Sequence, residues 1–387
     1  MKTSVVLETA IQSLFLTSHV FGAPNVRDSN TTLHILEEGS SFVCKTSQKY
    51  FNLSTFDFDP RSVLFDDTAC LSMQMFKEMG FVKHFHIPPE NLYRFILRAQ
   101  EGYRNIPYHN WDHGFAVLHF TYAVLKSCNH TQNNCFTLLE GLALLTAAMC
   151  HDLDHPGTTS QYQEAINSDI AQKYRGLGSI LERHHIEKTL SIFEHPGTNF
   201  IAQLSETEHK EFIDLVRRII LATDLKKHFQ VLLEEQTMAS EGYNRTNARH
   251  RELLRSVVIS SADLSDLTKG RRTVRKSAKL VNMEFFDQGD KEKAMGLLPL
   301  KMMDRTHTNI AEEQAKFISK VVMPVYRVLA ALCPEVQGCI NKLENNLQFW
   351  QNAMSYFEEQ SNRNRSQLEI LEDVELDKIS LFRKNKD

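Results

Sequence analysis

Histidines and aspartates that could bind a metal recur in three separated segments of this chain. The motif HDLDHPG places His151 directly before Asp152. Imidazole suits zinc, and a carboxylate suits zinc, magnesium or manganese, so this pair can form half of a mixed metal site. Upstream, His109 and His113 are four residues apart, which on a helix places both rings on one face. Asp263, within SADLSD, supplies a further carboxylate. Together, the three segments indicate a metal site assembled from distant parts of the chain.

The elements that position these residues are predicted to be helices. Glycine (15) and proline (10) are scarce in a chain of 387 residues, at roughly half of their usual combined share of about 12%. The segment 141–150 is apolar nearly all round and predicts a buried helix that ends at His151. Apolar residues from Phe212 to Ile220 follow a helical spacing. We therefore expect a single all-α domain.

Composition excludes several classes of function. A net charge of −4 gives no broad basic field, so nucleic acid is not an expected partner. No run of 18 uninterrupted apolar residues occurs, so no membrane span is expected. The seven cysteines include no CxxC pair, which favours reduced thiols and a cytoplasmic location.

The two ends of the chain differ from its middle. Residues 1–55 lack a sustained period and are expected to be a leader of unknown role, residues 56–355 the catalytic domain, and residues 356–387 a charged tail that is solvated or loosely ordered. The first 25 residues resemble a signal peptide. Polar residues such as Glu8 and Gln12 interrupt their apolar run, so we favour a cytoplasmic protein over a secreted one.

One basic run stands out against the balanced charge. The segment TKGRRTVRKSAK, 268–279, places Arg272, Arg275, Lys276 and Lys279 on one helical face. Charge runs are usually solvated, which favours an exposed helix face. Contact with an acidic partner or a regulatory segment is the alternative.

From about Phe56 to about Trp350, the chain resembles the class I cyclic nucleotide phosphodiesterases. The resemblance rests on an ordered set of motifs: YHN at 108, HDLDHPG at 151, LERHH at 181, LATD at 221, DLSD at 263, EFF at 284 and QAKF at 314. Three stretches, DLSDLTKG, QGDKEKAMG and MMDR, are similar to the cGMP-stimulated, type-2 branch. The family implies hydrolysis of cAMP and cGMP to 5′-monophosphates.

The resemblance also implies two divalent metals. The ligands of the tighter metal, expected to be zinc, are His113, His151, Asp152 and Asp263. Asp152 would bridge to a second metal, magnesium or manganese, which keeps most of its waters. The family holds those waters with residues that match His155, Glu182 and Thr223.

The resemblance also implies catalytic and substrate-binding roles for individual residues. His109 matches the general acid that protonates the leaving O3′, and Glu284 matches its carboxylate partner. Gln314 would recognise the purine edge through two hydrogen bonds. The residues expected to complete the substrate pocket are Phe317, Val281, Tyr108 and Asp266.

Three residues depart from the family pattern, and two rival functions stay open. Asp112 and Ser160 replace residues that the family usually carries, while Asp266 is expected of the type-2 branch. An HD-type nucleotidase acting on acyclic phosphates would use a similar metal set but would not need Gln314. A catalytically silent nucleotide-binding scaffold is the other rival. The sequence leaves open the oligomeric state, a homodimer included, and the role of any upstream cGMP-sensing GAF domain.

Overall fold

Helices form all the regular structure of the residues that the structure describes. The computed structural model describes residues 49–130 and 135–379, so most of the expected leader lies outside the described residues. The prediction of an all-α fold is confirmed. The longer helices are α1 (Phe65–Glu78), α3 (Pro89–Gly102), α4 (Trp111–His130), α5 (Leu138–Cys150), α8 (Ile180–Phe193), α9 (Glu206–Leu221), α10 (Leu225–Glu241), α11 (Ala248–Asp263), α12 (Arg271–Ala294), α14 (Met323–Leu332) and α15 (Gln337–Asn362). The shorter ones are α2 (Phe81–His84), α6 (Ser160–Ala165), α7 (Asp169–Lys173), α13 (Ile310–Phe317), α16 (Gln367–Ile370) and α17 (Glu375–Lys378).

Helix α5 lies at the centre of the domain. It begins with a capping box, in which Thr137 accepts from the Glu140 amide and the Glu140 carboxylate accepts from the Thr137 amide. Residues 142–150 are fully buried, and burying a leucine contributes about 1.5–3 kcal/mol. Helices α4, α9 and α11 pack around α5. The apolar segment therefore delivers its C-terminal end, His151, into the middle of the domain as the sequence predicts.

A buried ion pair links α5 to α11. The Glu140 side chain is 1% exposed and contacts the guanidinium groups of Arg251 and Arg255 from α11. Removing one partner of such a pair would leave an uncompensated buried charge, which is strongly destabilising. These contacts thereby fix α11, which ends at Asp263, against α5, which His151 directly follows.

Pro324 lies where the hydrogen-bond pattern between α13 and α14 changes. Residues Ile318–Val322 form a π-helical segment between α13 and α14, and Pro324 lies in the first turn of α14. Proline cannot donate the hydrogen bond that a continuous α-helix requires at this position. The helix therefore opens locally just after Phe317.

The C-terminal residues are more ordered than the sequence indicates. Helix α15 continues to Asn362, and α16 and α17 follow it. Ile370 and Leu376 are both 0% exposed, so residues 363–379 pack on the domain and are not a solvated tail. The domain boundaries at 55 and 355 stay predictions.

Two further expectations concern cysteines and membranes. Cys128, Cys135, Cys150, Cys333 and Cys339 carry thiols. Cys70, by contrast, is disulfide-bonded, so the expectation that every cysteine is reduced is wrong at this position. Within the described ranges, no helix is both long and apolar enough to cross a bilayer.

Candidate active site

The four expected ligands of the tighter metal converge. His113 Nε2 lies 3.0 Å from Asp263 Oδ1 and 3.5 Å from Asp152 Oδ2. His151 Nε2 lies 3.3 Å from the same oxygen of each aspartate and 3.2 Å from His113 Nε2. One ligand atom from each of the four residues lies within 4.8 Å of the others. The sequence therefore identified a true spatial cluster from residues that are up to 150 positions apart.

Helix ends bring the cluster together. His113 lies in the first turn of α4, His151 directly follows α5, and Asp263 is the last residue of α11. The Nδ1–H of His151 donates to the carbonyl of Ala148 at 3.0 Å, which leaves Nε2 as the ligand atom. Because all three helices are anchored in the core, the ligand atoms are held in position by buried packing.

The chemistry of the cluster fits a divalent cation. Two neutral imidazoles and two carboxylates balance a charge of +2. Burial raises the pKa of Asp263, but hydrogen bonds from His113 and His151 outweigh that effect and hold the pKa below its usual range. The carboxylates are thus ready to bind a cation without first losing a proton. Among the described residues, the buried Nδ1 of His113 has no hydrogen-bond partner.

A second cluster shares Asp152. Its Oδ1, turned away from the first cluster, lies 3.6 Å from His185 Nε2. Asp152, His155 and His185 each place one ligand atom within 4.8 Å of the other two. The amide of Gly157 donates to His155 Nδ1 at 3.0 Å, so the other ring nitrogen faces the cluster as an N–H. Asp152 is therefore placed to serve two neighbouring sites through its two oxygens.

Glu182 and Thr223 differ in how well they suit a water-holding role. Burial raises the pKa of Glu182 to about 7, and its buried Oε2 has no partner among the described residues. Because buried polar atoms usually have a hydrogen-bond partner, this oxygen suits a site that contains further polar groups. The Thr223 hydroxyl donates to the carbonyl of Ile220 at 2.8 Å, at the end of α9. Only the lone pairs of that hydroxyl are left for another contact.

His109 and Glu284 form a close pair beside the clusters. His109 Nδ1 lies 2.5 Å from Glu284 Oε2, and the amides of Tyr108 and His109 donate to Glu284 Oε1 at 2.7 and 3.0 Å. The His109 ring stacks on His155 with 4.1 Å between the ring centroids. Burial lowers the pKa of His109, but the hydrogen bond that it donates to Glu284 and the charges of nearby carboxylates outweigh that effect, so the pKa is raised. The pair can therefore hold a proton on the imidazole.

Tyr108 and Asp266 are joined through a residue that the sequence did not indicate. Arg61 Nε donates to Asp266 Oδ2 at 2.8 Å, and its guanidinium lies 5.1 Å from the centre of the Tyr108 ring. The Ser277 hydroxyl donates to the same oxygen at 3.0 Å. The Arg61 and Asp266 side chains are 2% and 3% exposed. Asp266 thus forms a buried ion pair, and its direct contact with substrate stays a prediction.

The expected purine-binding residues lie on two neighbouring helices. Gln314 and Phe317 are partly exposed on α13, and Val281 is partly exposed on α12. The two helices pack against each other. Val281 and Glu284 are three residues apart on α12 and share a face. The helix that orients His109 therefore also carries one wall of the expected base pocket.

The two departures near the metal residues do not disrupt the site. Asp112 is exposed in the first turn of α4, where an acidic residue interacts favourably with the helix dipole. Ser160 is the first residue of α6. The preceding Thr159 is fixed by Gln288, whose Oε1 accepts from the Thr159 amide at 2.8 Å. Both positions are thus accommodated at helix N-termini.

Sequence reasoning missed three residues that shape the site. His185 is the second histidine of LERHH, so the doubled histidine was its available signal. Gln288 follows Glu284 by one helical turn and holds the loop after His155. Arg61 precedes the first long helix and has no local pattern that would identify it. Its role depends entirely on a contact across 205 residues.

Comparison with known proteins gives a consistent assignment. Residues 108–343 match the family model described as 3′5′-cyclic nucleotide phosphodiesterase. A dual 3′,5′-cyclic-AMP and -GMP phosphodiesterase 11 of Drosophila melanogaster is 33% identical over 309 residues, which are 79% of this chain and 21% of that protein. A dual phosphodiesterase 11A of Takifugu rubripes is 33% identical over 77% of this chain and 33% of its own length. A probable 3′,5′-cyclic phosphodiesterase, pde-5, of Caenorhabditis elegans is 31% identical over 79% of this chain and 41% of its own length.

These matches fix the family but not the branch. The chain spans well under half of the length of each of these relatives, and its similarity to the type-2 branch stays a prediction. The matched region contains every residue from Tyr108 to Phe317, and thus both clusters, the His109–Glu284 pair and the expected base pocket. Because the family model covers more than half of the chain, the protein belongs to the 3′5′-cyclic nucleotide phosphodiesterase family.

Proposed function

We propose that this chain hydrolyses cAMP and cGMP to their 5′-monophosphates. The observation that carries the proposal is the position of the His109–Glu284 pair, at 2.5 Å, beside two clusters that share Asp152. Cyclic nucleotide hydrolysis breaks the bond between phosphorus and O3′ and requires a nucleophile on one side and a proton donor on the other. The site supplies residues for both requirements, and the dual activity named for two relatives supports this substrate class.

The proposed cofactors are zinc at the tighter site and magnesium or manganese at the second. His113, His151, Asp152 and Asp263 would hold the first ion, and Asp152 would also bind the second. His155, Glu182 and Thr223 would hold waters of the second ion. When bound, the two cations would lower the pKa of a water that attacks phosphorus and would offset the negative charge of the phosphoryl group.

The remaining chemistry belongs to the side chains. His109 would donate its proton from Nε2 to the departing O3′, because Nδ1 is occupied by Glu284. Glu284 fixes the orientation of the imidazole and stabilises its protonated form. The backbone amides of Tyr108 and His109 hold the Glu284 carboxylate in turn. The His109 imidazole therefore cannot rotate away from the leaving oxygen.

Recognition of the base is assigned to Gln314, Phe317 and Val281. The Gln314 amide can donate to adenine N1 and accept from the adenine amino group, or turn over for guanine. Phe317 and Val281 would clamp the ring from opposite sides, with Tyr108 and Asp266 closing the pocket. We further propose a cytoplasmic protein that binds no nucleic acid and is able to form a homodimer.

A substrate panel tests the proposal. Purified protein would be assayed with cAMP, cGMP, 5′-AMP and 3′-AMP in the presence of Mg²⁺, with products separated by chromatography. We expect both cyclic nucleotides to give 5′-monophosphates and the acyclic phosphates to stay intact. Release of inorganic phosphate from 5′-AMP or 3′-AMP, with cAMP left unchanged, would favour the nucleotidase. No turnover of any substrate would favour the silent scaffold.

A further inference from the structure

Two residues of the basic face of α12, Arg275 and Lys279, contact the C-terminal residues of this same chain. Arg275 Nε and Nη2 donate to the carbonyl of Leu371 at 2.9 and 2.7 Å, and Nη2 also donates to the carbonyl of Asp373 at 2.7 Å. Arg275 Nη1 pairs with the Asp377 carboxylate at 2.7 Å. Lys279 contacts Glu372. Arg275 and Lys279 therefore contact an acidic segment, as the alternative interpretation held. Arg272 and Lys276, on the same face, are exposed, as the first interpretation expected.

The same C-terminal residues also bind α13. We call residues 366–378 the C-terminal strap. Gln367 Oε1 accepts from the amide of Ile310, the first residue of α13, at 3.0 Å. This bond satisfies one of the donors that every helix N-terminus leaves unpaired. Asp373 Oδ2 accepts from Tyr356 at 2.7 Å and from Arg365 at 2.6 Å, which fixes the strap to α15.

Both helices that the strap joins carry the expected base pocket. Val281 lies six residues after Arg275 on α12, about 9 Å along the axis at 1.5 Å per residue. Gln314 lies four residues after Ile310 on α13, about 6 Å along its axis. A short helical segment moves as a rigid unit, so a shift at either strap contact is carried to the pocket. The spacing between Val281 and Phe317 therefore depends on how the strap holds the two helices.

We propose that the C-terminal strap sets the width of the purine pocket and that Arg275 and Gln367 are positioning residues for nucleotide binding. They act through Val281 on α12 and Gln314 on α13. The inference rests on the proposed function, because it assigns these helices to the base. It extends that proposal by making nucleotide affinity depend on a segment that lies beyond the matched family region, which ends at residue 343.

The test compares Arg275→Ala and Gln367→Ala with the wild-type protein on three substrates: cAMP, cGMP and bis(4-nitrophenyl) phosphate, a diester without a purine. We expect KM for both nucleotides to rise about 10-fold, since displacements of about 1 Å have large effects on bound geometry. We expect kcat, and all parameters for the purine-free diester, to stay near wild type. Arg275→Lys should recover only part of the affinity, because an ammonium group cannot fork between two carbonyls.

Controls separate positioning from general damage. Arg363→Ala removes an exposed arginine near the strap that pairs with Glu359 one turn away, and it should change no parameter. Unchanged KM in both Arg275→Ala and Gln367→Ala would overturn the proposal, as would equal losses on all three substrates. Should Arg275→Ala fail to fold, Gln367→Ala and Arg275→Lys carry the same test. If the strap variants behave as wild type while Gln314→Ala loses affinity, the proposed function stands and the proposal about the C-terminal strap fails.

If the wild-type protein cleaves the purine-free diester but neither nucleotide, the proposed function itself fails.

Discussion

His109 Nδ1 and Glu284 Oε2 lie 2.5 Å apart, although 175 residues separate them in the chain. The contact joins the loop before α4 to the middle of α12. Glu284 is otherwise occupied by the amides of Tyr108 and His109, so one buried carboxylate fixes both the backbone and the ring of its partner. This is the arrangement expected of a proton donor with a defined direction.

Replacing His109 by alanine should separate catalysis from metal binding. We expect turnover of cAMP to fall by roughly 10²- to 10⁴-fold, the usual effect of losing a general acid, with metal content unchanged. An analogue with a better leaving group at the 3′ position needs less protonation and should lose less activity. The measurement is kcat for both substrates, with His209→Ala as a control because His209 is exposed on α9. Equal losses on the two substrates would remove His109 from the acid role.

Replacing an expected metal ligand should remove the metal together with the activity. His113→Ala and Asp263→Ala each remove one of four ligand atoms, and we expect the tight metal and nearly all hydrolysis to be lost. Elemental analysis of the purified variants measures this directly. Asp214→Ala removes an exposed carboxylate from α9 and should keep full metal content. A full equivalent of metal in either ligand variant would show that the ligand assignment is wrong.

The parts of the site differ in how far they could be predicted from the sequence. The interior position of the HD pair was predictable, because it follows an apolar helix that must be buried. The other members of the cluster came from the family motifs. The roles of Gln314 and Phe317 also rest on a family motif and stay predictions. Arg61 and the C-terminal strap were not predictable, since both depend on contacts across about 100 to 205 residues and neither has a distinctive local pattern.

Gln314 separates cyclic nucleotide recognition from phosphate chemistry. Gln314→Ala should lose two hydrogen bonds to the purine edge, each worth about 0.5 to 1.5 kcal/mol. We therefore expect kcat/KM for cAMP and cGMP to fall roughly 10- to 100-fold, while cleavage of bis(4-nitrophenyl) phosphate stays near wild type. Lys320→Ala, at an exposed position beyond the same helix, is the matched control. Wild-type kinetics on both nucleotides would place the base pocket elsewhere.

Buried Glu235 on α10 should make stability depend on pH. Burial raises the pKa of Glu235 from 4.5 to about 7, and the side chain is 0% exposed. Between these two values the folded state binds more protons than the unfolded state, so stability should fall as pH rises from about 4.5 to about 7. Glu235→Gln should flatten this dependence.

Thermal unfolding across that pH range measures the effect. Glu241→Gln, which changes an exposed glutamate at the end of the same helix, should leave the wild-type slope unchanged. An equal slope in wild type and Glu235→Gln would show that Glu235 titrates normally in the folded protein.

Metal-dependent hydrolysis of cAMP is best measured as the rate of 5′-AMP formation before and after metal removal. Protein treated with EDTA and then dialysed should form no 5′-AMP, and adding Zn²⁺ together with Mg²⁺ should restore the rate in wild type but not in Asp263→Ala. We expect 5′-AMP to be the sole product and its formation to require both the metals and Asp263. Formation of 5′-AMP by the metal-free protein, or a wild type that leaves cAMP intact with both metals present, would contradict this expectation.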